Sequence, residues 1–251
     1  MIRGLYSSAW SMKTVQRKMD VVTNNISNVN STAFKKDIVV FGSFPEILTA
    51  RIDSISGRTN IGTMNLGHDV DEVHTDFSEG SIENTANPYD FAIVGSPSAF
   101  FVVGEGADGG TYYTRNGSFK INSNRELVTS EGYRVMGQDG PIVLENTEFS
   151  VDKDGSIILH GDIAGRLLIR EFANPETLRK QGNCLLTETD ETVVAEFSGE
   201  ILQGAVEISN VNIIKEMVDM INVMRLYEAN QRMITTQDNT LERAVNDIGA
   251  L

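Results

Sequence analysis

The chain has 251 residues, 40% hydrophobic and 22% charged, enough for one large domain or two smaller ones with a folded core. Its formal net charge of −14 argues against nucleic acid, which is met by a basic face, and against an anionic membrane surface. A single cysteine, Cys184, excludes an internal disulfide and a zinc site built from several thiolates. No run approaches the roughly 18 apolar residues of a membrane-spanning helix.

The opening stretch, MIRGLYSSAWSMKTVQRKMD, lacks a long apolar run, and Lys13, Arg17 and Lys18 fall where one would continue. No cleaved secretory signal is expected from it. Residues 2 to about 29 carry the first strong helical pattern. Ile2, Leu5, Ala9, Met12, Met19, Val22, Ile26 and Val29 recur at threes and fours, with Gln16 as a polar gap. The segment TNNISNVNSTAFKK (23–36) then interrupts it. Asn24, Asn25, Asn28 and Asn30 compete for backbone groups there, ending the helix and making turns.

Residues 37–75 lack sustained helical periodicity. DIVVFGSFPEILTARID predicts a strand, then a short helix or turn around Pro45, and the polar, glycine-spaced remainder predicts an extended connection. From about 76 to 205 short apolar or alternating runs are separated by turn residues. FAIV (91–94), AFFVV (99–103), TYYTR (111–115), YRVMG (133–137), SIILH (156–160) and RLLIREF (166–172) are among the predicted strands. Asn116-Gly117, Glu131-Gly132, Asp139-Gly140 and Asp154-Gly155 are the predicted turns. No helices alternate with these strands, so the pattern indicates antiparallel hairpins rather than a parallel sheet.

The last segment, from Ser209, is the longest helical pattern. Ile213, Met217, Met220, Met224, Tyr227, Ile234, Leu241, Val245 and Ile248 step by fours and threes, with Gln231 and Asp238 in the gaps. That spacing predicts a coiled-coil seam on one helix, which at roughly 36 residues would be about 54 Å long and would need a partner along its length. The tetrapeptide SNVN occurs at 27–30, after the first helix, and at 209–212, before the last. Copies at one level would make the two helices antiparallel, with everything between them inserted at that end.

Motifs of catalysis are weak. Gly104 to Gly109 matches GxGxxG in spacing, but a strand follows where a dinucleotide site needs a helix. Asp152-Lys153-Asp154-Gly155 begins like a calcium loop without continuing as one. His68, His74 and His160 form no metal-binding spacing. Cys184, in NCLLTET, reads as a small buried apolar residue.

With these residues in view, the chain resembles the bacterial flagellar rod and hook family. The resemblance rests on MIRGLYSSAWSM, on MDVVTNNISNVNSTAFKKD, on GSIENTANPYDFAIVG and YTRNGSFKINSNRELVTSEGYRVMGQDGPI, and on SNVNIIKEMVDMINVMRLYEANQRMITTQD. Two departures stand out. Ala33 occupies a position where the family usually has glycine, and Ser96 to Ala99 replace a short glycine-containing turn. The length and VFGSFPEIL look most like a proximal-rod member, with a distal-rod member next.

The resemblance implies an α+β fold, with long N- and C-terminal helices forming an antiparallel coiled-coil-like hairpin and an inserted, mainly antiparallel β domain. The implied division is 1–34 with 206–251 as the terminal helical assembly domain, 35–75 as an extended connection and 76–205 as the β domain. It implies a structural rod subunit, not an enzyme, exported by the flagellar type III apparatus and located in the basal body. The expected partners are other rod subunits, further copies of itself and the export apparatus, with no nucleic acid, membrane insertion, cofactor or metal. The implied subunit-interface residues are Leu5, Met12, Met19, Asn24, Asn25, Asn28, Asn30 and Phe34 near the N-terminus. Near the C-terminus they are Asn210, Asn212, Met217, Met220, Met224, Arg225, Tyr227, Glu228, Asn230, Ile234 and Leu241. The rival readings are a β-rich surface or adhesin-like protein with coiled-coil termini and a soluble enzyme with a carboxylate site.

Overall fold

The computed structural model describes residues 2–43, 47–53, 57–64, 68–104, 110–144, 149–159, 161–182 and 184–248. The chain is α+β: an N-terminal helix, a β-rich middle and a C-terminal helix. It divides into two units. The first comprises 1–26, 37–74 and 213–251, the second 27–36 and 75–212.

In the first unit, α1 runs Ile2–Ser27, and the asparagine-rich segment stops it as expected. Two of its threonines turn back on the helix: Thr14 Oγ1 donates to the Trp10 carbonyl at 3.0 Å and Thr23 Oγ1 to that of Met19 at 2.7 Å. Helix α2 runs Ile213–Arg243 and ends in a π-helical turn, Ala244–Ile248. Neither helix is apolar enough to cross a membrane. Between them in sequence lie four strands, β1 (Asp37–Ser43), β2 (Ile47–Asp53), β3 (Gly57–Met64) and β4 (His68–Thr75). The segment read as a connection is therefore paired strand: β1 with β4, and β2 with β3 in antiparallel register from Ile47↔Met64 to Asp53↔Gly57. Glycines and charges hid this, because they leave little apolar alternation to read in these residues. The turn expected around Pro45 lies outside the described residues.

In the second unit, β5 (Ile82–Asn84), β6 (Phe91–Val94), β7 (Ala99–Gly104) and β8 (Thr111–Thr114) begin the β domain. A ten-stranded antiparallel sheet runs from 179–181 through 185–187, β8, β7, 134–137 and 127–128 to 120–121. Strand 169–172 also pairs with β7 and carries 194–195, and 140–141 pairs with 134–137. Strand β7 is the middle of the core. Ala99, Phe101 and Val103 join Phe91, Ile93, Phe119, Leu127 and Val135, while Phe100 and Val102 join Tyr113, Phe172 and Leu186 on the other side. This is why AFFVV is a continuous apolar run: a strand buried on both faces does not alternate. Full burial of one such side chain contributes about 1.5–3 kcal/mol.

Most predicted turns are present, with Gly132, Gly140 and Gly155 at φ of +93°, +130° and +81°. Gly117 is an exception in mechanism. It is needed for close approach rather than for a hairpin turn, since a Cβ there would lie 1.8 Å from the Phe91 carbonyl oxygen. Asp152 to Gly155 form a turn, closed by the Gly155 N–H donating to the Asp152 carbonyl at 2.9 Å. A strand, β8, follows the glycine-rich stretch at 104–109, of which 105–109 lie outside the described residues, as does His160; the His68 side chain is likewise not described.

Candidate assembly surface

On the helices of the first unit the covered line mixes polar with apolar residues, and a second, apolar stripe is left exposed. On α2 and its closing turn Glu216, Met220, Val223, Tyr227, Asn230, Ile234, Gln237, Leu241 and Ala244 are covered, alternating four and three, with Asp219 beside them. Met220, Tyr227, Ile234 and Leu241 belong to the predicted seam. The intervening layers are shifted by one residue: Met217, Met224 and Val245 are 49%, 50% and 68% exposed. Apolarity alone misplaces the covered line because its polar members have partners. Asn25 Nδ2 donates to Glu216 Oε2 at 3.3 Å and Asn230 Nδ2 to Ser11 Oγ at 2.9 Å. Gly4 leaves room for Gln237, whose Nε2 would lie 2.0 Å from a Cβ at that position. On α1, Ser8, Thr14, Val22 and Asn25 are buried, Leu5, Met12 and Met19 are half-buried, and the predicted stripe members Ala9 and Gln16 face out.

Turned outward on α2 are Ile213, Ile214, Met217, Val218, Ile221 and Met224, with Leu226 and Met233 further along. Ile214 is 72% exposed. Met217 and Val218 lie three and four residues after Ile214 and four and three before Ile221, which places all four on one helix face. Arg225 and Glu228 are also exposed, and so are Asn24, Asn30 and Asn212.

Asn25 is 2% exposed and acts like a piece of strand. Its amide donates to the Asp37 carbonyl at 2.9 Å and its carbonyl accepts from the Asp37 N–H at 3.0 Å. The pair ties the end of α1 to the first residue of β1.

The second unit holds a clasp between residues 33–36 and 207–210. The Ala33 N–H donates to the Glu207 carbonyl at 2.8 Å, and the Lys36 N–H to Asn210 Oδ1 at 2.9 Å. Asn210 Nδ2 reaches the Asp76 carbonyl at 2.8 Å. Beneath these bonds lies a buried charge cluster. Glu207 Oε1 accepts from Lys35 Nζ and from the Gly80 N–H, each at 2.7 Å, and its Oε2 accepts from Arg115 Nε at 2.6 Å. Arg115 uses all its donors: Nη1 bonds the Ser96 and Ala99 carbonyls, and Nη2 the Ile93 carbonyl and Glu79. Lys35, Arg115 and Glu207 are 4%, 3% and 2% exposed, a burial tolerable only because every charge is bonded.

Burial pushes the Glu207 carboxyl up, but Arg115 and Lys35 beside it outweigh this and hold it below the usual carboxylate range. Burial lowers the Lys35 ammonium, and Glu207 restores it only in part. The half-buried Cys184 sits near this clasp, its Sγ 3.8 Å from the Thr32 carbonyl oxygen, with its thiol pushed up by burial. That is the setting of a packed thiol rather than a nucleophile.

Ala33 has φ of +56° and is buried, so the position where glycine is usual does require the left-handed region. Phe34 is 2% exposed, with Lys180 Nζ 4.9 Å from its ring centre. Asn28 is buried and accepts from Ser31 Oγ at 3.3 Å. Thus Asn25, Asn28, Phe34 and Asn210 are committed to bonds and packing within the chain, whereas Met217, Met224, Arg225 and Glu228 are on its surface. Glu207 and Arg115 were not anticipated as site residues. The available signal was a lone carboxylate in the apolar run AVEI and an arginine closing TYYTR.

Comparison with known proteins covers the whole length. Residues 5–35 match the family described as "Flagella basal body rod protein", 92–159 the "Flagellar hook protein FlgE/F/G D1 domain" and 202–247 the "Flagellar basal body rod FlgEFG protein C-terminal". The chain is 30% identical to the flagellar hook-basal body complex protein FlhO of Bacillus subtilis, with 100% of both chains covered. It is 32% identical to the flagellar basal-body rod protein FlgG of the same organism, covering 98% of this chain and 99% of that one. With FlgG of Borreliella burgdorferi it shares 34% identity over 98% of each. The turns, the clasp and both helices all fall within the matched length, and the chain belongs to the flagellar basal-body rod proteins, of the proximal or distal rod, as a structural subunit rather than an enzyme.

Proposed function

We propose that the chain builds the rod by packing its terminal helices first on each other, as an antiparallel coiled-coil-like pair, and then on those of adjacent subunits. Three contacts support the pairing. Asn25 with Glu216, Ser11 with Asn230 and Gly4 with Gln237 follow α1 backwards as they follow α2 forwards. The observation that carries assembly is the outward stripe of Ile214, Met217, Val218, Ile221 and Met224. A helix that leaves an apolar stripe in water beside its covered line has a second partner to cover that stripe. Methionines suit such a surface because they adapt to neighbours that are not quite equivalent. The division into terminal helices that assemble (1–34 with 206–251), a connecting ribbon (35–75) and a β domain (76–205) follows from this reading. So does export through the flagellum's own apparatus before the helices are ordered, since an outward stripe left uncovered until neighbours arrive offsets little ordering entropy.

The test is electron microscopy of basal bodies from a strain whose only copy of this chain is tagged. Label along the rod, in its membrane-proximal part, is expected; label confined to the cell surface rejects the reading. Circular dichroism of the monomer against assembled material checks the helices, and equal helix content in both rejects their ordering on assembly.

A further inference from the structure

We propose that a charged ridge on α2 of one copy seats in a groove between α1 and β4 of a second copy of this chain. The inference rests on the assembly reading above and names one contact within it. The groove has a volume of about 500 Å³ and lies wholly within the first unit. Its helical wall carries Lys13, Arg17 and Asp20, and its strand wall Asp69, Asp71 and Glu72. All but the half-exposed Asp69 are exposed. One wall is mainly cationic and the other anionic, so the groove is built for an occupant that carries both signs.

The exposed face of α2 supplies such an occupant. Arg225, Glu228 and Arg232 lie three and four residues apart, on one side of the helix. The Glu228 and Arg232 side chains are 61% and 83% accessible and 3.9 Å apart, too exposed to neutralise each other strongly. The lengths agree. Arg225 to Arg232, like Lys13 to Asp20, spans about 10.5 Å of helix, and Asp69 to Glu72 spans about 10 Å of strand. Seated together, the two arginines meet the acidic wall and Glu228 meets Lys13 and Arg17.

The heights overlap. The bonds of Asn230 with Ser11 and of Asn25 with Glu216 put the ridge opposite residues 9–16 of α1, which overlaps the N-terminal half of the groove's helical wall, so a neighbour displaced sideways and by about one helical turn along the axis brings one to the other. Ridge and groove are unlike patches. A contact between unlike patches does not close on itself as a dimer but propagates through successive copies, as a rod requires.

The test complements a strain lacking this gene with full-length alleles and counts complete rods in isolated basal bodies. Arg225→Glu with Arg232→Glu, and separately Asp71→Lys with Glu72→Lys, are each expected to lower the count about tenfold or more, because like charges then face each other. All four changes together are expected to restore it to within about twofold of the unaltered chain, since reversed ridge again meets reversed groove. Either pair of changes leaving the count unaltered, or the combined allele doing no better than the worse pair, overturns the contact. An unaltered copy that restores no rods overturns the assembly reading and the contact with it.

Discussion

The two units treat their large apolar residues differently. The β unit turns its large apolar residues inward, with Phe100 and Phe101 on successive residues of β7 feeding cores on both faces of the strand. The helical unit buries Glu216 and Asn25 and leaves Ile214, Ile221 and Met224 in solvent. A unit whose large apolar residues are covered is a finished domain; one that leaves an apolar helix face in solvent has surface suited to a second partner. The difference predicts where substitutions act on the monomer and where only on the assembly.

The largest effect on the monomer is expected at Arg115. Arg115→Met leaves Glu207 buried without its main partner and should cost about 3–5 kcal/mol in urea unfolding of the full chain. Phe101→Ala, which opens a cavity in the core, is expected to cost about 3–5 kcal/mol in the same measurement, at the lower end if β7 can collapse onto the space.

The clasp also predicts a pH response. The Glu207 carboxyl is held below its ordinary value by Arg115 and Lys35, despite burial. Its contribution is therefore fully present above the unfolded carboxylate pKa of about 4.3 and is lost as pH falls through the lower folded value. Unfolding followed below that range should show the loss, and Glu207→Gln should flatten it while lowering stability at neutral pH.

At Ala33, whose φ is +56°, a branched side chain is expected to be strained. Ala33→Val should cost about 1–3 kcal/mol, whereas Ala33→Gly should be tolerated; equal losses for both would show that packing, not backbone, decides the position. The smallest effect on the monomer is expected from Ile221→Ala, below about 0.5 kcal/mol because the side chain is exposed. The same change should reduce the number of complete rods, which Phe101→Ala can do only by unfolding the subunit. An Ile221→Ala chain that assembles normally would break the comparison.

What could be read from sequence follows the same line. AFFVV and FAIV announce a core because continuous apolar runs have nowhere else to go. The two helices are legible from their period, but the phase of the seam on α2 is not. Met217 outranks Glu216 in any apolar count, and only the Asn25 amide opposite Glu216 reverses the choice. The pairing of β1 with β4 is hidden because β4 is mostly charged and polar, with only Val70 and Val73 as apolar residues. The clasp is half legible. Lys35 sits in the motif that carries the resemblance, while Glu207 finds its place only once residues 172 positions apart in sequence are side by side.

The clasp also makes the β unit modular. Its incoming and outgoing segments are joined by a backbone hydrogen bond of 2.8 Å between Ala33 and Glu207. A module whose two ends already touch can be lengthened, trimmed or exchanged while the chain enters and leaves at the same place. Evolution can therefore change what is carried between the helices without redesigning the helices, and so derive subunits of different bulk from a single scheme of attachment.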